Sequence, residues 1–256
     1  MTDHKIIALW AHPRSMSTAI ERIMRERGDL HCQHEPFMYD YYVNRQVRRM
    51  PYFEVREDHP VAYADVRDMI LDRARQGPVF LKDMSYYVVP KLLEDTAFCK
   101  RLCHCFLIRS PYASIASYYN LDAAVTCEEI GLHAQWRHFS ALLKMNISPF
   151  VIRAEMVRTD PRTSIRSLWK YTGLDNLDHA FSWHAKSPDD WQQVSGWHQG
   201  VMASESIRPI AAGEAENDIA RFEKLAGQAP MLRDYLTFHL PYYEKLLARA
   251  HVAVGG

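Results

Sequence analysis

Short apolar runs alternate with segments of helical periodicity over the first two thirds of this chain of 256 residues. The run Lys5–Ala11 is apolar after its first residue, which is typical of a strand buried on both faces. The next segment, Ser17–Arg27, places Ile20, Ile23 and Met24 on one face and therefore predicts a helix. Strands that alternate with helices predict an α/β fold, in which helices flank a parallel sheet.

The same alternation predicts the remaining elements. Further strands are expected at 30–34, 79–81, 102–108 and 149–152, and further helices at 61–75, 90–97, 128–145, 160–171, 216–225 and 231–250. Asp160 is expected to cap the N-terminus of the helix at 160–171, with Gly173 just past its end. The last helix is expected to be interrupted at Pro241, because proline lacks the N–H that a helix interior needs.

The final third of the chain has no strand pattern, and residues 176–209 are expected to form a long loop. We therefore expect an α/β core at residues 1–175, followed by a loop and helical extension of the same domain at residues 176–256.

The composition narrows the range of functions. Lys and Arg total 31, as do Asp and Glu, so the formal net charge is zero. A neutral balance argues against a nucleic-acid-binding protein and requires any anion site to be local. Five cysteines without paired CxxC motifs favour a reducing compartment over a disulfide framework. Since no run approaches the ~20 apolar residues of a membrane span, we expect a cytoplasmic protein without a membrane partner.

The residues after the first predicted strand form a candidate anion site. Segment 12–18 reads His-Pro-Arg-Ser-Met-Ser-Thr and leads directly into a helix. A tight strand-to-helix turn directs backbone N–H groups and the helix dipole at one point, where an anion can bind. Arg14 adds a fixed cation, and Ser15, Ser17 and Thr18 add hydroxyl donors. In a purely structural alternative, Ser17 only caps the helix and Arg14 lies on the surface.

A second candidate anion site follows the fourth predicted strand. Arg109 comes directly after this strand, Pro111 begins a helix, and Ser117 lies two turns into it. Ligands of parallel sheets bind outside the carboxyl ends of the strands, so both sites can face one ligand. In the structural alternative, Arg109 forms a salt bridge and Ser117 is solvated.

These segments resemble the nucleotide-binding motifs of the sulfotransferase family. Segment 12–18 is similar to the family's 5′-phosphosulfate loop, Pro-[Lys/Arg]-Ser-Gly-Thr-Thr, although Met16 stands where the family usually has Gly. Arg109, Pro111, Ser117 and the pair Tyr118-Tyr119 resemble its 3′-phosphate motif. Residues 152–174 are similar to its "Glu-Asp-Leu … Asp-Pro … Leu-Gly-Leu" segment.

The resemblance implies a P-loop-type α/β fold with 3′-phosphoadenosine 5′-phosphosulfate as co-substrate and no metal. The enzyme would move a sulfuryl group to a hydroxyl or amine of an unidentified acceptor, either a small molecule or a sugar. The residues that would hold the 5′-phosphosulfate are Pro13, Arg14, Ser15, Met16, Ser17 and Thr18, and those that would hold the 3′-phosphate are Arg109 and Ser117.

Two departures from the family pattern accompany this resemblance. Met16 is strained if the turn requires a positive φ at that position. The basic Arg-Lys-Gly segment that grips the 3′-phosphate in cytosolic members has no clear match, and residues 195–198 (Ser-Gly-Trp-His) are a candidate replacement.

Glu35 and Asp83 are the candidates for the general base. Cytosolic sulfotransferases carry a His two residues after a Lys in the third strand, whereas Lys82 is followed here by Asp83 and Met84. Other branches of the family use a Glu after the second strand, so the resemblance makes Glu35 the first candidate and Asp83 the second. Arg14 would neutralise charge on the transferring group. Alternatively, Glu35 is paired with Arg14 or Lys82 and has no chemical role.

Two other functions remain open. A P-loop kinase or nucleotide hydrolase is disfavoured because the Gly-Lys-[Ser/Thr] ending of the loop is absent, although Asp83 could bind magnesium. A non-catalytic nucleotide-binding protein on the same fold is suggested by Met16 and by the missing histidine.

Three further features each have a functional and a structural interpretation. Residues 37–53, rich in aromatic side chains, are either an acceptor wall or core packing. Cys103, His104 and Cys105 alternate along a predicted strand, which favours core packing over a zinc site. The aromatic segment 230–251 is expected to pack on the sheet, with a homodimer contact as the second interpretation.

Overall fold

A computed structural model describes residues 4–184, 188–197 and 204–251 of the chain, and at its centre lies a parallel sheet of five strands. The strands are β1 (Ile6–Ala11), β2 (His31–His34), β3 (Val79–Met84), β4 (Leu102–Ile108) and β5 (Phe150–Arg153), in the spatial order β2-β3-β1-β4-β5. All four neighbouring pairs are parallel. The predicted α/β fold with a parallel sheet is confirmed.

Helices flank both faces of this sheet. They are α1 (Ser17–Glu26), α2 (Tyr63–Gln76), α3 (Ser85–Val88), α4 (Lys91–Glu94), α5 (Thr96–Arg101), α6 (Pro111–Leu121), α7 (Leu132–Lys144), α8 (Ala154–Thr159), α9 (Pro161–Thr172), α10 (Glu214–Gln228) and α11 (Met231–Leu247). Short 3₁₀ segments lie at Glu128–Ile130, Asp178–Phe181 and Asp189–Val194, and a π-helical turn at Asp40–Asn44.

The two faces of β1 bury different side chains. Ile7 and Leu9 pack into a cluster with residues of α1 and α9, whereas Ile6, Ala8 and Trp10 join the larger cluster on the opposite face. Every residue of β1 is fully buried, as a central strand covered by helices on both sides requires. This burial fixes the carboxyl end of β1, from which segment 12–18 departs.

The ends of α9 are as predicted from the sequence. The Asp160 carboxylate accepts the backbone N–H of Thr163 at 3.0 Å, and Pro161 occupies the first turn, where its missing N–H costs nothing. Gly173 ends the helix with φ 64°, the left-handed conformation that glycine adopts without a steric penalty.

The helix predicted over residues 128–145 is divided in two. Gly131 has φ 81° and separates the 3₁₀ turn Glu128–Ile130 from α7. A Cβ atom on Gly131 would lie 3.1 Å from Cβ of His12, so the division lets the chain pass close to the end of β1. The single helix predicted at 90–97 is likewise two short helices, α4 and α5.

The predicted interruption at Pro241 is wrong, because α11 continues through this residue to Leu247. Pro241 cannot donate to the carbonyl of Thr237, but both residues lie on the exposed face of the helix, where water can bind that carbonyl. The opposite face buries Leu232 and Leu246, and this packing maintains the helix.

The last two helices pack on the α/β core, α10 against α6 and α11 against α6 and α7. The expected boundary at residue 175 remains a prediction. Among the described helices, none combines the length and the apolar character needed to cross a bilayer. The loop expected at 176–209 contains the two short 3₁₀ segments that begin at Asp178 and Asp189, whereas residues 185–187 and 198–203 lie outside the description.

Candidate active site

The segments that follow β1, β2, β3 and β4 meet at the carboxyl edge of the sheet and enclose a cleft. Its volume is about 180 Å³. Residues of four successive loops and of the segment 188–197 line it: Pro13, Arg14, Met16, Ser17, Thr18, Glu35, Met50, Met84, Tyr86, Tyr87, Arg109, Tyr118, Val194 and Trp197. Seven of the residues singled out in the sequence therefore share one cleft: Pro13, Arg14, Met16, Ser17, Thr18, Glu35 and Arg109.

The turn after β1 has the strained backbone that its sequence suggested. Met16 has φ 72° and Arg14 has φ 62°, both in the left-handed region that side chains other than glycine rarely adopt. The carbonyl of Met16 accepts the N–H groups of Ala19 and Ile20, at 3.0 and 3.4 Å, as the first turn of α1 begins. The N-terminus of α1 therefore faces the cleft at Ser17 and Thr18.

Arg14 and Arg109 converge on this turn. Arg14 donates from Nε to Oγ of Ser117 at 3.0 Å and from Nη1 to the carbonyl of Trp197 at 2.9 Å. Arg109 donates from Nη1 to the carbonyl of Arg14 at 2.9 Å. The two predicted anion sites are thus in direct contact, and Ser117, which does not line the cleft, holds Arg14 in place.

The two guanidinium groups have no carboxylate in direct contact within the described part of the chain. Among the described residues, neither Arg14 nor Arg109 forms an ion pair, and their hydrogen-bond acceptors are a hydroxyl and carbonyl oxygens. Burial lowers the pKa of Arg14, and the nearby charge of Arg109 lowers it further. Burial also lowers the pKa of Arg109, against the opposing charges of Asp218 and Glu155. An anion that enters here would relieve the repulsion between the two cations.

Among the six residues predicted to hold the 5′-phosphosulfate, only Ser15 does not line the cleft. It is fully buried, and its Oγ atom has no hydrogen-bond partner among the described residues. We name the turn 12–18 together with Arg109 and Ser117 the arginine side of the cleft.

Glu35 reaches the cleft from the end of β2. Its backbone N–H donates to the carbonyl of Lys82 at 2.8 Å, and its φ of 43° turns the chain away from the sheet. One carboxylate oxygen accepts a hydrogen bond from Nζ of Lys82, and the other accepts the Tyr87 hydroxyl at 3.3 Å. Burial raises the pKa of Tyr87 well above its ordinary value, so the phenol stays protonated and donates. The ion pair foreseen as the structural alternative for Glu35 is therefore present, with Lys82 as partner.

A second buried carboxylate lies behind this pair. Glu21 of α1 accepts from Nδ1 of His34 at 2.7 Å and from Nη2 of Arg25 at 2.8 Å, while Nζ of Lys82 lies 3.8 Å away. Although burial alone would raise the pKa of Glu21, the neighbouring His34, Arg25 and Lys82 hold it below its ordinary value. Nε2 of His34 lies 3.8 Å from the Glu35 carboxylate. We name Glu21, His34, Glu35 and Lys82 the carboxylate side.

Asp83 does not line the cleft. It is fully buried, and its two oxygens accept the backbone N–H groups of Phe37 and Met84, at 2.8 and 2.9 Å. Burial, followed by the charge of Glu35, raises its pKa well above the ordinary value. Its contacts join the turn after Glu35 to the end of β3, which gives Asp83 a structural role in this arrangement.

Aromatic side chains form the wall between the two sides. Tyr86 and Tyr87 follow β3, Tyr118 lies on α6, and Trp197 packs edge-to-face on Tyr118 with ring centroids 5.3 Å apart. Trp197 donates from Nε1 to the carbonyl of Pro51 at 2.8 Å. Sequence analysis missed Tyr86 and Tyr87, whose only signal was their position directly after a strand. It placed Trp197 in a candidate phosphate-binding segment, of which His198 lies outside the described residues.

Much of segment 37–53 belongs to the core rather than to the cleft. Phe37, Tyr39 and Tyr41 are buried in the larger cluster, and only Met50 of this segment lines the cleft.

His104 is also a core residue, because its Nδ1 accepts from Trp10 Nε1 and its Nε2 donates to the Cys99 carbonyl, both at 2.9 Å. Within the described ranges, no group of three or more His, Cys, Asp or Glu side chains converges as metal ligands do.

The parallel sheet and the strand–turn–helix at its carboxyl edge define a P-loop-like α/β protein. The chain belongs to the sulfotransferase domain family, whose model matches residues 4–250. The resemblance deduced from the sequence motifs is thereby confirmed.

Comparison with individual proteins extends this result. An Arabidopsis thaliana protein named branched-chain-amino-acid aminotransferase-like protein 1 is 23% identical over 97% of this chain and 44% of its own length. The chain spans less than half the length of the curated relatives it matches. Among solved structures, the sulfotransferase domain of the curacin biosynthetic pathway aligns with a TM-score of 0.55 and 12% identity, over 90% of this chain and 98% of that one. The sulfotransferase domain of the Synechococcus PCC 7002 olefin synthase aligns with a TM-score of 0.50 and 16% identity, over 88% and 97% of the two chains. At these identities the two structures show a shared fold.

Proposed function

We propose that this protein is a sulfotransferase that moves a sulfuryl group from 3′-phosphoadenosine 5′-phosphosulfate to a hydroxyl or amine of a small-molecule or sugar acceptor. The observation that carries the proposal is the contact between Arg14 and Arg109, two cations with neutral partners at one end of the cleft. A donor with phosphate groups at both its 3′ and 5′ positions would supply the directly bonded anions that this pair lacks. Family membership supports the same choice of donor.

The residues of the arginine side would bind the donor. The N-terminus of α1 and the hydroxyls of Ser17 and Thr18 suit the 5′-phosphosulfate, with Pro13 and Met16 shaping the turn around it. Arg109 suits the 3′-phosphate, whereas Ser117, which does not line the cleft, would hold Arg14 in place. Ser15, which is buried behind the turn, would support the turn rather than touch the ligand.

In the reaction, the acceptor oxygen or nitrogen forms a bond to sulfur while the bond between sulfur and the 5′-phosphate oxygen breaks. The products are the sulfated acceptor and 3′,5′-adenosine bisphosphate. Arg14 would stabilise the negative charge that develops on the departing oxygen, and Glu35 would accept the proton of the acceptor. When Glu35 takes up this proton, Lys82 keeps the Glu21 carboxylate as a partner at 3.8 Å, so its charge is not left isolated.

A kinase or hydrolase mechanism has less support. It needs a carboxylate that can hold magnesium at the phosphates, and both oxygens of Asp83 are engaged by backbone N–H groups. The aminotransferase name of the plant relative also finds little support here. That chemistry needs a lysine amine at the substrate, and no lysine is among the described residues that line the cleft.

Calorimetry with 3′,5′-adenosine bisphosphate, with ATP and magnesium as the control, tests the proposal. We expect the bisphosphate to bind at least ~10-fold more tightly than ATP, because ATP lacks a 3′-phosphate for Arg109. Equal or tighter binding of ATP would support the kinase alternative. Binding of the bisphosphate without turnover of the phosphosulfate donor on any hydroxyl or amine acceptor would support a non-catalytic nucleotide-binding protein.

A further inference from the structure

His12 is a buried histidine at the point where β1 and β4 separate. The last main-chain pair between these strands is Trp10 with Phe106. Beyond it, Nε2 of His12 accepts the backbone N–H of Arg109 at 3.1 Å. The side chain of His12 therefore continues the link between the strands after the regular ladder has ended, and it does so at the residue that supplies the second cation of the cleft.

The segment around His12 is closely packed and hydrogen-bonded. Gly131 passes so close that an added Cβ would lie 3.1 Å from Cβ of His12. One step earlier along the strands, Nε2 of Gln135 donates to the carbonyls of Trp10 and Leu107, each at 3.0 Å. Two side chains, those of His12 and Gln135, thus bridge the ends of β1 and β4 where the ladder stops.

The charge state of His12 suits this contact. The ring is fully buried, and burial, followed by the charge of Arg109, lowers its pKa to about 3. The ring is therefore neutral at neutral pH, and the hydrogen bond from the Arg109 N–H identifies Nε2 as its unprotonated nitrogen. A lysine here would add a third cation beside Arg14 and Arg109, and a carboxylate would neutralise Arg109. A neutral acceptor positions Arg109 and leaves its charge available for a ligand.

We propose that His12 is a positioning residue for the donor nucleotide, which orients Arg109 against the turn so that the 3′-phosphate is recognised. Arg109 is bonded to segment 12–18 at two points. Its backbone N–H donates to His12, and its Nη1 donates to the carbonyl of Arg14 at 2.9 Å. The inference rests on the proposed function, since it assigns the 3′-phosphate to Arg109.

The test compares the affinities of 3′,5′-adenosine bisphosphate and 5′-AMP, which lacks the 3′-phosphate, by calorimetry. In His12→Leu, we expect the preference for the bisphosphate over 5′-AMP to fall about tenfold, because Arg109 is no longer held in place. His12→Gln, whose side-chain carbonyl reaches the position of Nε2, should restore the preference to within about threefold. His12→Asn is polar but shorter and should behave like His12→Leu, which provides a comparison if the leucine variant does not fold. His138→Leu removes another fully buried histidine, which is hydrogen-bonded to Ser85 rather than to Arg109, and serves as the control.

An unchanged preference in both His12→Leu and His12→Asn would overturn the inference, as would an equal loss of affinity for both nucleotides, which a general structural defect produces. Failure of the unaltered protein to bind the bisphosphate is a different result. It would reject the proposed function itself, together with the role of Arg109 on which this inference depends.

Discussion

The two sides of the cleft differ in whether their charged side chains form ion pairs within the protein. On the carboxylate side, Lys82 lies between Glu35 and Glu21, and Glu21 is also bound by His34 and Arg25, so every charge has an opposite partner. On the arginine side, Arg14 and Arg109 bond to neutral oxygen atoms. The first arrangement is complete within the protein, whereas the second leaves positive charge for a ligand.

Because of this difference, we expect the carboxylate side to matter most for folding stability and the arginine side to matter most for ligand binding. A self-neutralised buried network is strongly destabilised when one member is removed, because the remaining charge is stranded. Two cations with neutral partners repel each other, so removing one weakens binding far more than folding. Substitutions on the carboxylate side should therefore mainly change the free energy of unfolding, and substitutions on the arginine side should mainly change the affinity for the nucleotide.

Lys82→Met should lower the free energy of unfolding by about 3–5 kcal/mol, because it strands the Glu35 carboxylate in a buried position. Urea denaturation measures the change. Arg75→Met, which removes an exposed ion pair with Asp72, is the matched control and should cost less than about 1 kcal/mol. Equal effects of the two substitutions would show that the carboxylate side is not the buried network described above.

Arg14→Met should weaken binding of 3′,5′-adenosine bisphosphate about 100-fold, because a charge-assisted contact to the ligand is lost. Stability should change by less than about 1 kcal/mol, since the repulsion from Arg109 is relieved as the bonds to Ser117 and Trp197 disappear. Arg137→Met, an exposed arginine of α7, is the calorimetric control. A large loss of stability with little loss of affinity would reverse the assignment of the two sides.

Sequence reasoning predicted the arginine side better than the carboxylate side for a physical reason. Segment 12–18 and Arg109 each follow a strand, and the carboxyl ends of parallel strands share one edge, so topology alone brings them together. Sequence alone leaves open whether Glu35 pairs with Lys82 or with Arg14, because the choice depends on the register of β2 against β3, which residue types do not specify. Asp83 is a second case that residue types did not predict. Side chains alternate along β3, so its carboxylate points away from the cleft and accepts the backbone N–H groups of residues 37 and 84.

Fold prediction had the same strengths and weaknesses. Strong local signals, such as Asp160 and Gly173 at the ends of α9, gave the correct boundaries. Packing against distant segments decided two other boundaries, namely the continuation of α11 through Pro241 and the break at Gly131. The periodicity of a sequence carries no information about such contacts. The role of His12 in bonding Arg109, 97 residues away, has no local signal at all.

Glu35→Gln should reduce turnover about 100-fold while the affinity for 3′,5′-adenosine bisphosphate stays within about threefold of the unaltered protein. Glutamine has nearly the same shape but cannot accept the proton, and Lys82 retains Glu21 nearby. Turnover is measured as release of the bisphosphate from the phosphosulfate donor with a panel of hydroxyl and amine acceptors. Glu94→Gln, an exposed carboxylate, is the control. Unchanged turnover would leave Glu35 with the structural ion pair alone.

The smallest effect concerns the strain at Met16, which should make glycine better than alanine at this one position. At an ordinary site Gly is less stable than Ala by roughly 0.5–1 kcal/mol, because glycine loses more backbone entropy on folding. With φ at 72°, alanine retains the left-handed penalty of roughly 1–2 kcal/mol and glycine does not. Both variants lose the same contacts of the methionine side chain, so the difference between them isolates the backbone.

Urea denaturation should therefore find Met16→Gly more stable than Met16→Ala by about 1 kcal/mol, with the opposite order for Ala19→Gly, in the regular part of α1. Binding of the bisphosphate should stay within about threefold in Met16→Gly, because glycine prefers the conformation that the turn already has. A tenfold loss would mean that the methionine side chain itself contacts the nucleotide. The arginine side would then bind its ligand through an apolar surface as well as through uncompensated charge.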